Sequence, residues 1–265
     1  MSLLRIDDVT VQFGGITAVD HASFEVEAGT VTGLIGPNGA GKTTCFNVIT
    51  GLQKPTGGRV HLQGKDITRM SVHSRAHRGI GRTFQRLEAF GSLTVRGNVQ
   101  VAFDIHDGVR GLLRAPAHRA DALLERVGIA EYADERADAV PTGTARLLEV
   151  ARALACEPRL LLLDEPSSGL DEAETEAFGQ LLIELAAEGR TILMVEHDMD
   201  LVMSVCGMLH VLDFGSVIAS GTPNAIRGDA KVQKAYLGYS ETEHAGETTR
   251  EFDEPVTAEI PAAGR

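Results

Sequence analysis

The chain has 265 residues, 43% of them hydrophobic, which is enough to bury a sizeable core as one large domain or a core with a sub-domain. Its net charge of −12 excludes a general nucleic-acid binder, which needs surplus Lys and Arg against phosphates. Cys45, Cys156 and Cys206 fit neither a zinc site nor a disulfide framework, no apolar run approaches the roughly 18 residues that span a bilayer, and Met1 to Asp8 has no apolar signal-peptide region, so a reducing cytoplasm is the expected setting.

Residues 3–13 and 22–28 alternate apolar and polar in the manner of strands, parted by Gly14-Gly15 and a short turn. Residues 30–36 predict a short apolar strand ending in glycine, followed by a helix from Gly41 to Gly51. Residues 57–64 predict another strand, and residues 95–140 are helical in pattern, with Leu123, Leu124, Val127 and Ile129 as core positions. A second helix is predicted over 145–156. Leu160 to Leu163 is a continuous apolar run, as a parallel strand covered on both faces requires. Residues 172–188 are helical, Thr191 to Val195 is a buried strand, and 208–221 predict two strands around a turn at Asp213 to Gly215. Met199, Val202 and Met203, in the helix after His197, are predicted core. Alternating strands and helices imply an α/β core with a parallel sheet.

The chemistry begins at Gly36. The run Gly36, Pro37, Asn38, Gly39, Ala40, Gly41, Lys42, Thr43 matches G-x-x-x-x-G-K-[ST] in full, between an apolar strand and a helical pattern, with Thr44 following. Glycines let successive backbone N–H groups turn inward as an anion-binding nest, and the helix N-terminus adds partial positive charge. Lys42 would reach the β- and γ-phosphates and the Thr43 hydroxyl would ligate Mg²⁺.

The run Leu160 to Pro166 places Asp164 at the carboxyl edge of the sheet, where it can hold Mg²⁺, and Glu165 next to it, where it can polarise an attacking water as general base. Taken alone, two acids after a strand also describe a solvated strand end. His197, after the strand Thr191 to Val195, carries either a structural reading or contact with a γ-phosphate.

Phosphate loop, apolar-DE and strand-His in this order resemble the ATP-binding cassette (ABC) transporter ATPases, from about Leu3 to Tyr239. The resemblance implies a P-loop NTPase fold of ABC type: a parallel core sheet, an N-terminal antiparallel β sub-domain and an inserted helical sub-domain at about 86–157, within one domain spanning 1–240. It implies ATP and Mg²⁺ as ligands, and Phe13 as the aromatic that stacks on adenine. Gln85, in GRTFQ, matches the glutamine loop that senses Mg²⁺ and water and passes motion to the membrane subunit. Ser168 to Asp171 matches the loop that crosses the dimer interface. His197 matches the switch histidine.

One element departs from that pattern. Where the family reads L-S-G-G-Q, this chain has Val140-Pro141-Thr142-Gly143-Thr144, and only Gly143 is kept. Pro141 replaces the serine that donates to the γ-phosphate across the dimer. Thr142 or Thr144 is expected to supply a hydroxyl instead, and N–H groups after Gly143 can still face an anion. Losing one neutral hydrogen bond costs about 0.5–1.5 kcal/mol, a rate factor of roughly 2 to 13.

The mechanism so implied is a head-to-tail pair of ATPase subunits, this chain with a copy or a homologue. They would be held by transmembrane permease subunits at the cytoplasmic face of the membrane, with residues near Arg86 to Phe90 pressing on the permease. Neither nucleic acid nor the transported substrate is contacted. GRTFQ, Glu196 to Met199, Val109 to Ile129 and Ser220 to Gly238 look like the branched-chain amino-acid importer ATPases. Related ATPases serve urea, short amides and lipopolysaccharide export, and a non-hydrolysing regulatory cassette is the other alternative. A soluble translation or repair protein of the family is disfavoured by a single cassette without heptads.

Two features stand apart. Glu241 to Arg265 holds seven acidic residues against two arginines and is expected to be disordered, as a solvated end or a partner-docking tail. Cys45 lies at the start of the phosphate-loop helix, so it reads either as a thiol of lowered pKa whose alkylation blocks ATP binding or as a small core residue.

Overall fold

The computed structural model describes residues 1–85, 87–108 and 118–236. Arg86, residues 109–117 of the expected helical insertion, and the acidic tail lie outside the described residues.

The N-terminal part is a four-stranded antiparallel sheet in the order β2-β1-β4-β5. Strand β1 (Ser2–Phe13) and β2 (Ile16–Glu27) form a hairpin whose end pair is Phe13 with Ile16. The second strand starts earlier than its alternation predicted, because it pairs to the hairpin tip where both faces are exposed. Strand β4 (Gly57–Leu62) pairs with β1, and the two-residue β5 (Lys65–Asp66) closes the edge.

The central sheet has six strands in the order β10-β9-β3-β8-β7-β6. Here β3 is Val31–Ile35, β6 Ile80–Arg82, β7 Leu160–Asp164, β8 Thr191–Val195, β9 Met208–Asp213 and β10 Ser216–Gly221. Neighbours from β9 to β6 are parallel, and β10 is antiparallel to β9. Every residue of β3, β7 and β8 is buried, which is why they read as unbroken apolar runs. Strand β6 escaped the sequence reading because it has three residues, one of them glycine.

Helix α1 (Lys42–Thr50) follows β3. Its C-terminal carbonyls are closed by Arg75, on the short helix α2 (Val72–Ala76), which is 1% exposed and donates to Val48 O at 2.6 Å and Ile49 O at 2.7 Å. A cation at a helix C-terminus is favourable, and it also satisfies orphan carbonyls.

The helical pattern over 95–140 divides into α3 (Val95–Asp107), α4 (His118–Arg126) and a 3₁₀ turn at Ala130–Tyr132. The break after α4 falls at Gly128, whose φ of 79° no α-helix accommodates. Helix α5 (Thr142–Ala155) starts three residues before its expected position, directly after Pro141. Val99, Phe103, Leu124 and Leu148 bury the faces that pack these helices together. The chain continues through α6 (Glu172–Ala187), α7 (Met199–Val205) and α8 (Pro223–Arg227). Val202 is fully buried, and Met199 and Met203 pack against the same core.

Candidate active site at the carboxyl edge of the parallel sheet

Strands β3, β6, β7 and β8 run parallel, so their carboxyl ends meet at one edge, and the loops leaving them carry Gly36, Gln85, Glu165 and His197.

The phosphate loop needs its glycines for space. A Cβ at Gly36 (φ 149°) would lie 2.0 Å from Leu212 O, and one at Gly41 (φ 103°) would lie 2.4 Å from Ala18 O. Pro37 and Ala40 are buried, while Asn38 and Gly39 are exposed at the crest. Lys42 is 7% exposed and folds back over the loop, donating from Nζ to Gly36 O at 2.6 Å and Pro37 O at 2.8 Å. Burial lowers its pKa, and the nearby carboxylates of Glu165 and Asp164 oppose that shift. Thr43 is exposed and Thr44 half-buried on the first turn of α1, which contains no acidic residue. Backbone amides, helix terminus and ammonium together form an anion site.

Asp164 is 2% exposed. Its Oδ2 accepts from Arg82 at 3.0 Å and its amide donates to Thr83 Oγ1 at 3.2 Å. Burial raises the carboxyl pKa, and the Arg82 guanidinium pulls it back. Glu165 adopts φ 50°, a left-handed conformation unusual outside glycine, held by its amide donating to Val195 O at 2.9 Å. That turn aims the carboxylate between two partners. Gln85 Nε2 donates to Oε2 at 3.0 Å, and His197 Nε2 lies 3.1 Å from Oε1. The structure thus brings Gln85, Glu165 and His197 into one hydrogen-bonded group. The Thr43 hydroxyl, the Asp164 carboxylate and the Gln85 side-chain carbonyl are hard oxygen donors of the kind Mg²⁺ takes.

Two residues that the sequence reading did not single out complete the site. Glu196 is 5% exposed, and its Oε2 accepts from the His197 amide at 2.9 Å while Oε1 holds Ser167. Arg82 links Asp164 to Asn47 of α1. Both lie inside runs quoted for the family resemblance, GRTFQ and Glu196 to Met199, but their burial and their partners are not legible without the fold.

Elsewhere the placements vary. Phe13 is 50% exposed at the hairpin tip, and Ala18 of that hairpin abuts Gly41. Gly143 fits against the loop after Glu165, where a Cβ would meet Gly169 O at 2.8 Å. Thr142 is exposed, but Thr144 is 3% exposed inside the packed face of α5, so of the two expected hydroxyls Thr142 is the one facing outward. Pro141 precedes the first helical residue and lends no side-chain cap. Cys45 takes the second of its two readings: it is 2% exposed, and burial pushes its pKa up to about 12. Desolvation of the thiolate outweighs the helix terminus, so the core reading holds.

The sequence profile of ABC transporters matches residues 19–168, and that of the branched-chain amino acid ATP-binding cassette transporter matches residues 216–242. The chain belongs to the ABC transporter family. The high-affinity branched-chain amino acid transport ATP-binding protein BraF of Pseudomonas aeruginosa is 40% identical over 249 residues, covering 89% of this chain and 98% of that protein. The lipopolysaccharide export system ATP-binding protein LptB of Escherichia coli is 33% identical over 238 residues, covering 90% and 98%. Among solved structures, a nucleotide-free ATP-binding cassette of an ABC transporter matches with a TM-score of 0.80 and 31% identity over 89% of this chain and 99% of that one. A dimeric cassette in a post-hydrolysis state, bound to ADP and Pi, matches with a TM-score of 0.75 and 26% identity over 83% and 98%. As a member of the ABC transporter family this chain is an ATP-binding, ATP-hydrolysing transporter subunit. Among the described residues no helix is long and apolar enough to cross a membrane.

Proposed function

We propose that this chain powers import of branched-chain or related hydrophobic amino acids, working at the cytoplasmic face of the membrane in a head-to-tail ATPase dimer. The substrate class is supported by the C-terminal segment matched at residues 216–242 and by the 40% identity to BraF. The mechanism rests on one observation: Glu165 is held between Gln85 and His197 at the edge where Lys42 closes the phosphate loop.

In this reading, ATP seats its phosphates on the amides of Gly36 to Thr44, and Lys42 turns from its carbonyl partners to the β- and γ-phosphates. Phe13 stacks on the adenine. Thr43, Asp164 and Gln85 would hold Mg²⁺, which would supply positive charge against the phosphoryl oxygens. Glu165 exchanges its protein partners for the attacking water and takes its proton, and His197 meets the γ-phosphate. Thr142, Gly143 and the N-terminus of α5 close over the ATP of the partner subunit, with Pro141 leaving a gap where a hydroxyl would donate. A groove of about 860 Å³ beside the Gln85 loop, with Phe84, Phe90 and Ile105 on its walls, receives the permease.

The test is Mg²⁺-dependent ATP hydrolysis by the purified chain beside Glu165→Gln and Lys42→Ala. Glu165→Gln is expected to keep ATP affinity and lose turnover by about 10²-fold or more, and Lys42→Ala to lose affinity. Rapid hydrolysis by the glutamine variant would remove Glu165 from its role.

A further inference from the structure

One side chain is hydrogen-bonded to both elements that carry the proposed metal ligands. Arg82, the last residue of β6, donates from Nη1 to Asn47 Oδ1 at 2.6 Å and from Nη2 to Asp164 Oδ2 at 3.0 Å. Asn47 stands one helical turn after Thr43 on α1, so it shares a face with that hydroxyl. Asp164 ends β7.

The guanidinium is boxed in. It is 6% exposed, and its central carbon lies 5.4 Å from the Phe46 ring and 4.9 Å from the Phe84 ring. Its Nε is buried without a hydrogen-bond partner. Burying an arginine and an aspartate removes both from water, a cost that their mutual attraction offsets only when the geometry is fixed. A planar fork held by two acceptors and two rings has little freedom to move. Hydrophobic residues of the same volume would fill this space at lower desolvation cost.

We infer that Arg82 is a positioning residue that sets the separation and orientation of Thr43 and Asp164 toward Mg²⁺. This rests on the proposed assignment of those two residues as metal ligands. With Nη2 donating to Oδ2, rotation of the carboxylate is restricted. With Nη1 on Asn47, helix α1 is pinned at a set distance from β7. Arg82 also lies three residues before Gln85, at the start of the segment that carries it. Partners that orient metal ligands typically alter affinity about 10- to 100-fold when removed.

The discriminating variant is Asn47→Ala. It breaks the arm to α1 yet leaves the Arg82–Asp164 pair and all formal charges in place, and Asn47 is only half-buried. Binding of a fluorescent non-hydrolysable ATP analogue is measured across an MgCl₂ titration and again in EDTA. The half-saturating Mg²⁺ concentration is expected to rise about tenfold, with affinity in EDTA within about twofold of the parent chain. Arg82→Lys, a point charge that cannot span both acceptors, is expected to shift it in the same direction, and Asn47→Asp, which keeps the acceptor oxygen, to restore it to within about threefold. An unchanged Mg²⁺ midpoint in Asn47→Ala overturns the inference. So does an equal loss of affinity with and without Mg²⁺, which a merely structural role would give. If the parent chain itself binds the analogue equally with and without Mg²⁺, the assignment of Thr43 and Asp164 as metal ligands fails first, and the role of Arg82 with it.

Discussion

The amide and the hydroxyl of Ser167 donate to the same carboxylate oxygen of Glu196, each at 2.8 Å. The other oxygen accepts from the His197 amide. One buried carboxylate therefore ties the loop that follows Glu165 to the loop that carries His197, and the two side chains that meet at 3.1 Å hang from that tie.

Glu196→Ala leaves four donors, the amide and hydroxyl of Ser167 and the amides of His197 and Asp198, without their acceptor. The expected cost is about 2–3 kcal/mol in urea unfolding. Turnover is expected to fall about tenfold or more, because a loss of about 1.4 kcal/mol in positioning is already a factor of ten. Nucleotide affinity stays within about threefold, since the phosphate loop is built without Glu196. Wild-type phosphate release by the alanine variant would show that the tie does not matter for catalysis.

Cys45 is expected to resist thiol reagents in the folded protein. With the pKa pushed up to about 12 by burial, only about one molecule in ten thousand is thiolate at pH 8, and the thiolate is the nucleophile. Cys206 shares that fate. Half-buried Cys156, whose pKa burial also raises, is the one expected to react first. Peptide mapping after labelling with a disulfide reagent, native and in urea, checks the order. Rapid native labelling at Cys45 that blocks nucleotide binding would contradict it.

His210 confers a pH dependence on the fold. It is 5% exposed, with Nε2 2.8 Å from Glu25 O and Nδ1 2.8 Å from Ser220 Oγ, and its ring lies 5.1 Å from that of Phe24. Burial lowers its pKa below 6.5, and the bond to the Glu25 carbonyl opposes this. A histidine with a depressed folded pKa contributes stability that is fully present above the unfolded value and is lost as pH falls from about 6.5 toward the folded pKa. The slope there is at most about 1.4 kcal/mol per pH unit. Unfolding of His210→Gln, compared with the parent chain between pH 7 and 5, is expected to lack this component of the acid limb. Parallel pH profiles would rule it out.

The phosphate loop was legible because its determinants are local. Gly36 and Gly41 need positive φ, Lys42 and Thr43 open the helix, and an apolar strand precedes them, all within about fifteen residues. The buried strands Leu160–Asp164 and Thr191–Val195 announced themselves as apolar runs, since parallel strands are covered on both faces. Even the altered loop Val140 to Thr144 was placed correctly at a helix start, although only the fold separates exposed Thr142 from buried Thr144.

By itself, then, the sequence determined the phosphate-loop segment and the long buried strands, and it named the candidate side chains for phosphate chemistry, because those choices depend on neighbours a few residues away. Only the tertiary structure decided which charges are desolvated and with whom they pair. Arg82 meets Asp164 across 82 positions, and Ser167 meets Glu196 across 29. The same burial turns Cys45 from a candidate nucleophile into a core thiol. An ionisable group takes its properties from the dielectric and partners around it, and those are assembled only when β3, β6, β7 and β8 bring their carboxyl ends to one edge.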